Sequence, residues 1–204
     1  MTFRKKIYNF LRWSERYTQT DMIYLAKGGF WLTLNYIISF IVAILLATAF
    51  ANLLPKETYG IYKYILSMTG ILAIFSLPGM NIAIVRAIAR GYEGSFIPAI
   101  KTKFKWSLIG SLCALMIASY YLLKENTSFA MYFLVVAIFL PLINSFQLYA
   151  PFWSGKERFD ISVKCRIALQ VAMMVSLILT LFLTDDLFFI LLVYFSSQTI
   201  LHII

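Results

Sequence analysis

The chain has 204 residues and a formal net charge of +9, with 61% hydrophobic and only 13% charged residues. Soluble domains carry about a quarter charged residues, so this composition, with a mean hydropathy of +0.81, excludes an ordinary soluble domain. The positive charge does not call for nucleic acid, because the Lys and Arg residues are confined to short stretches between apolar runs, where they act as topology signals.

The chain opens on a basic segment, residues 1–27. On a helical wheel Phe3, Ile7, Phe10, Leu11 and Tyr17 share one arc while Arg4, Lys5, Arg12 and Arg16 share another. This pattern predicts an amphipathic helix lying in the inner headgroup layer, held by apolar burial and anionic lipid. A cleavable signal peptide is not expected, since the first apolar run starts only near Gly28, is too long, and lacks a small-residue cleavage site.

Residues 28–204 divide into six apolar segments, near Gly29–Leu54, Ile61–Ala89, Phe104–Leu123, Phe129–Trp153, Ile167–Leu183, and Leu187 onward. Each approaches or exceeds the roughly 20 residues needed to cross about 30 Å of hydrocarbon. The expected fold is therefore an all-α integral membrane bundle of about six transmembrane helices. The second segment is overlong, and Pro78-Gly79 in its middle predicts a kink. Small residues recur every four positions at Ala43, Ala47 and Ala51, and again at Gly110, Ala114 and Ala118, which predicts close helix approach at both stripes.

The cations alternate from one side of these segments to the other. Six lie before the first (Arg4, Lys5, Lys6, Arg12, Arg16, Lys27), five around the second connection (Arg86, Arg90, Lys101, Lys103, Lys105) and four around the fourth (Lys156, Arg158, Lys164, Arg166). Only Lys56, Lys63 and Lys124 fall on the other side. Cationic loops are retained in the cytoplasm, so both termini are placed inside. Trp31, Trp106 and Trp153 then mark the inner boundary, and Tyr59, Tyr62, Tyr64, Tyr120 and Tyr121 the outer one.

Catalytic chemistry has little to work with. All nine carboxylates lie outside the apolar cores, His202 is the only histidine, and there is no metal-ligand spacing, phosphate loop or nucleophile elbow. Cys113 and Cys165 make no disulfide case. A non-enzymatic protein without metal or cofactor is expected. The polar residues that enter the spans are Lys63, Ser67, Gly70 and Asn81, which share a face if the second span is a straight helix, with Asn35 and Ser39 on the first and Asn144 and Gln147 on the fourth. Either they bond between helices or they line a cavity for a sugar or phosphate headgroup. Arg86 and Arg90, at the inner mouth, either snorkel or draw in a phosphate.

The stretch from Gly28 to Gly94 resembles a known family. Leu53-Leu54-Pro55-Lys56-Glu57-Thr58-Tyr59-Gly60 is similar to the first outer turn of the polysaccharide-biosynthesis (O-antigen type) flippases of the multidrug/oligosaccharidyl-lipid/polysaccharide exporter superfamily. The run Leu77-Pro78-Gly79-Met80-Asn81 and the exit Arg86-Ala87-Ile88-Ala89-Arg90 resemble its second span. The resemblance implies alternating-access flipping of a polyprenyl-phosphate-linked saccharide at a bacterial or archaeal plasma membrane, in a two-lobed protein of about 12 to 14 spans. The chain supplies one lobe, so a C-terminal lobe or a homodimer partner is expected beside membrane lipid. A multidrug exporter of the same superfamily and a non-transporting scaffold subunit stay open as alternatives.

The charge pattern makes a direct prediction. Without Cys113 and Cys165, single cysteines at Lys103 and Glu157 should be shielded from impermeant thiol reagent in intact cells, whereas cysteines at Lys56 and Lys124 should be labelled. External labelling at Lys103 would reverse the orientation.

Overall fold

A computed structural model describes Trp13 and residues 22–203, apart from the side chains of 23–27 and 201–203. Residues 1–21 of the N-terminal segment lie outside the described residues except for Trp13, which is exposed, and residues 22–27 begin the first helix. Among the described residues every regular element is helical.

Helix α1, Met22–Leu53, has 32 residues, a length of about 48 Å that exceeds the hydrocarbon thickness. Pro55 ends it and caps α2, Lys56–Leu72, as expected of a ring that fits a helix start but not an interior. A 3-10 turn, Ala73–Ser76, follows, and the span then breaks. Pro78 cannot donate to the helical ladder and crowds the residue before it out of the right-handed region. Leu77 leaves the right-handed region for the left-handed one, at φ 55, and the span resumes as α3, Met80–Ala89, at 50° to its first arm.

The next helix, α4, spans Phe96–Leu123 and so starts well before Phe104. Lys101, Lys103 and Lys105 lie on this helix and not in a loop. Lysine is a good helix former, and Pro98 is tolerated in the first turn, where no intrahelical bond is lost. Helix α5, Thr127–Phe146, is capped by Asn126, whose Oδ1 accepts from the Phe129 amide at 3.2 Å. After an irregular Gln147–Leu148 step comes the short α6, Tyr149–Gly155. Helix α7 covers Phe159–Leu183 and α8 covers Leu187–Ile203.

Four helical stretches are long and apolar enough to cross a membrane, and the bent α2–α3 pair makes a fifth. The sixth expected span, α8, is apolar but has only 17 residues. The observed count is thus four to five spans by this measure, where six were expected.

Helix α5 is the centre of the bundle, packed on α4 along one side and α8 on another. Helix α8 packs on α7, and α7 on α1. Ile65, Leu72, Ala114, Phe133, Val136, Leu140, Leu177 and Leu191 form the main core, and a smaller one joins Ile84, Ile88, Ala99 and Leu148. Aromatic rings close the predicted outer end. Phe50 stacks on Tyr62 with centroids 4.6 Å apart, and the Tyr64 and Tyr121 hydroxyls meet at 3.2 Å.

Pro141 sits inside α5 and leaves the Ala137 carbonyl without its helical partner. The Ser111 hydroxyl of α4 donates to that carbonyl and joins the two helices at the point of loss. Nearby, Gly110, Ala114 and Ala118 are all buried, as their spacing predicted. The stripe Ala43, Ala47, Ala51 is different, because all three are exposed. Helix α1 buries Asn35, Val42 and Phe50 instead, with Leu54 buried just past its end, and it packs on α7 and α2.

The Gly110 contact can be tested. A Cβ there would meet the Leu72 carbonyl oxygen at 2.6 Å and Leu140 Cδ2 at 2.9 Å, whereas one at Gly60 meets nothing within 4 Å. Gly110→Ala should destabilise by about 1–3 kcal/mol through overpacking. Gly60→Ala should be neutral, or stabilising by up to about 1 kcal/mol. Thermal unfolding in detergent reads both, and equal midpoints would refute the close approach.

Candidate functional site

The exposed surface of the bundle is not uniform. On α1 it consists of Phe30, Tyr36, Ile37, Phe40, Ile41 and Ile44, and on α4 of Leu108, Leu112, Leu115 and Met116, faces suited to lipid. On α2 the exposed positions include Gly60, Lys63, Ser67 and Gly70, which recur at helical spacing along one face. Ser67 Oγ donates back to the Lys63 carbonyl at 2.9 Å, and Lys63 Nζ reaches over the Tyr59 ring at 5.4 Å, toward the predicted outer end. A small polar stripe on an apolar helix is poorly matched to hydrocarbon and suits water or a polar ligand.

This stripe runs to a cavity of about 240 Å³ between α2, α5 and α8. Its polar lining is Thr69 from α2, Asn144 from α5, Gln147 just past the end of α5, and Tyr194 and Gln198 from α8, with Gly70 at its edge. Gln198 Nε2 donates to the Tyr194 hydroxyl at 3.1 Å. Asn144 is 7% exposed, and its Nδ2 has no partner. The structure therefore brings Asn144, Gln147 and Gly70 together. Thr69, Tyr194 and Gln198 join them from positions that sequence reasoning passed over. Tyr194 and Gln198 sit one turn apart on α8, Gln198 within its polar Ser196–Thr199 stretch and Tyr194 just before it, which was the available signal.

Asn35 lies elsewhere, outside the lining of this cavity. It is buried with Oδ1 unpartnered on the side of α1 that faces α7, where Ser39 Oγ donates to Gln170 Oε1 at 2.9 Å.

The expected single face through Lys63, Ser67 and Asn81 does not form, because the 50° break puts Asn81 on the other arm. Lys63 and Ser67 are exposed, while Asn81 is half-buried and accepts from Lys103 Nζ at 2.8 Å. Arg86 and Arg90 are exposed on the far part of α3 and at its end. Lys103, expected among loop cations, is only 2% exposed. Ser107, one turn further on the same face, is 1% exposed, with its hydroxyl unpartnered. A cysteine at Lys103 would escape a thiol reagent from either side, so the exposed Lys101 is the better inner reporter.

Other cations have other partners. Lys156 pairs with Glu93 at 2.9 Å, and Lys164 Nζ sits 5.3 Å from the centre of the Trp31 ring. Among the described residues no cluster of three or more His, Cys, Asp or Glu could hold a metal ion.

The sequence profile of the polysaccharide biosynthesis protein family matches residues 25–204. The chain belongs to this family. Comparison with curated proteins and with solved structures returned no match. Members of the polysaccharide biosynthesis family are mostly transporter-like rather than enzymes.

In this family member Asn144 carries an unsatisfied buried amide that an apolar side chain would remove. Asn144→Leu should leave thermal stability unchanged or raise it, since a buried unpaired donor costs about 1–3 kcal/mol. A clear fall in the unfolding midpoint would show that the Asn144 amide is instead a structural bond.

Proposed function

We propose that this chain moves a polyprenyl-phosphate-linked saccharide across the membrane, as one lobe of an alternating-access transporter. The observation that carries the reading is the exposed Gly60–Lys63–Ser67–Gly70 face of α2 leading into the Thr69–Asn144–Gln147–Gln198 cavity. Sugar hydroxyls both donate and accept, as do Ser67, Asn144, Gln147 and Gln198. Lys63 supplies a cation for a phosphate, and a charge-assisted bond is the stronger kind. The polyprenyl tail stays in lipid beside the apolar faces of α1 and α4.

In this reading α8 is the sixth span, the membrane is a bacterial or archaeal plasma membrane, and both termini are cytoplasmic. Arg86 and Arg90, at the inner mouth, meet the phosphate early in loading, and Lys63, at the outer mouth, meets it late. A second lobe, or a second copy of this lobe, faces the α2 stripe across the path. The two lobes rock about a site near the midplane.

The test uses the full-length protein in cells whose surface polysaccharide depends on it, with membrane abundance measured alongside. Ser67→Leu and Lys63→Leu should each lower surface polysaccharide about tenfold or more, the scale of one lost charge-assisted or orienting hydrogen bond. Abundance should hold, because apolar replacements remain compatible with insertion. Parental export in both variants would mean that the stripe packs against neighbours, and the reading would fail.

A further inference from the structure

The broken second span contains a short arm with few restraints. Helix α3 has 10 residues. On one side of it lie Leu77 at φ 55, Pro78 without an N–H, and Gly79, where a Cβ would meet nothing within 4 Å. On the other side is Gly91 at φ 87. Non-helical backbone thus flanks the arm at both ends, the arrangement in which a segment swings as a unit.

Two kinds of contact hold the arm in place. Its apolar side, Ile84 and Ile88, packs on α6, on Leu148 and on Ala99 of α4, and Ile88 sits against Gly155 so closely that a Cβ there would come within 2.7 Å. The other contact is the hydrogen bond from Lys103 of α4 to Asn81. Among the described residues it is the only side-chain hydrogen bond joining this arm to another element.

That bond is unusual in what it leaves undone. An ammonium has three donors, and Asn81 Oδ1 is the one acceptor that Lys103 finds among the described residues, with no carboxylate in an ion pair with it. Buried cations are ordinarily matched by an acid, and an amide is the weaker partner. Ser107 on the same face adds a second donor with no acceptor. The closed arrangement therefore leaves hydrogen-bonding capacity unused on two buried residues, and Lys103, the one bonded to the arm, is freed for further partners if α3 swings off α4. A residue needed only for packing at position 103 would be better apolar.

We infer that the Asn81–Lys103 hydrogen bond is a releasable latch. It helps to hold α3 against α4, and its opening uncovers Lys103 as a cationic surface. Lys103 is thus a positioning residue for the arm that carries Asn81 and Arg86. The inference rests on the bend and its restraints and not on what is transported, so it stands or falls separately from the proposed function.

The experiment measures the arm directly. The full chain, with Cys113 and Cys165 replaced by serine, carries spin labels at Ala89→Cys, at the exposed end of α3, and Leu112→Cys, on the exposed face of α4. Distances are read by pulsed electron resonance in lipid nanodiscs. Asn81→Asp sets a carboxylate against the ammonium and should narrow the distribution to the closed distance. Asn81→Leu and Lys103→Met should move population to a second distance, changing the open-to-closed ratio at least about fivefold relative to Asn81→Asp. If Lys103→Met does not accumulate, the two Asn81 variants supply the contrast alone. Superimposable distributions for the parent, Asn81→Asp and Asn81→Leu would overturn the latch. So would a Lys103→Met protein that loses thermal stability while keeping the parental distribution, since Lys103 would then only fill space.

Discussion

The constraint on which the rest of this structure depends is that hydrocarbon offers a peptide group nothing to bond to. Every N–H and C=O at membrane depth has to be paired within the protein, which is why the described elements are helices. Departures from the helix then become informative, because each needs a local remedy. At Pro141 the freed Ala137 carbonyl is taken by Ser111 of the neighbouring helix, and the largest interface in the bundle forms at that point. At Leu77–Pro78–Gly79 the remedy is a tight turn, with the Met80 amide donating to the Leu77 carbonyl at 2.9 Å, and the span changes direction. The same residue type yields a splice in one helix and a corner in the other. The difference is whether a hydroxyl on a packed neighbour lies within reach.

Polar side chains follow the same logic at lower stakes, since interhelical hydrogen bonds in membranes contribute only about 0.6–2 kcal/mol each. The bundle tolerates orphaned groups at Asn35, Ser107, Asn144 and, on α6, Trp153, and each lies at a different place. Asn35 sits on the α1 face turned to α7, Asn144 beside the cavity, and Ser107 one turn from Lys103. Only the Asn144 region combines an unsatisfied donor with open space and further polar lining, which is what separates a candidate binding surface from a helix seam.

Much of this was legible in the sequence, because it follows from properties of single residues or of short runs. The break at Pro78-Gly79, the buried Gly110–Ala114–Ala118 stripe and the polarity of Asn144 in an apolar helix are of this kind. What was not legible depends on neighbours. Ala43, Ala47 and Ala51 have the spacing of an interface, but spacing cannot say which side of a helix another helix will cover, and here the larger Val42 and Phe50 take that side. Lys103 lies in a run with Lys101 and Lys105 and reads as one of three loop cations. Helix α4 instead continues through all three and turns only the middle one inward, toward Asn81. The straight face through Lys63 and Asn81 failed for a related reason, since the kink was foreseeable but its angle was not.

The contrast between Lys63 and Lys103 shows how one residue type takes two roles in one bundle. Lys63 is on an exposed face near a tyrosine at the end of a helix, so its long stem can carry the charge to the interface, and the backbone need not move for it to find water. Lys103 is enclosed by α4's own inner face and the α3 arm, so its charge can find water only if a helix moves. An amide partner makes that movement feasible, because breaking a buried ion pair would leave a second uncompensated charge, whereas releasing Asn81 leaves a neutral group that water satisfies easily. The bend in the span and the amide opposite the lysine are therefore complementary. The first gives the arm a direction in which to move, and the second keeps the barrier to moving it low.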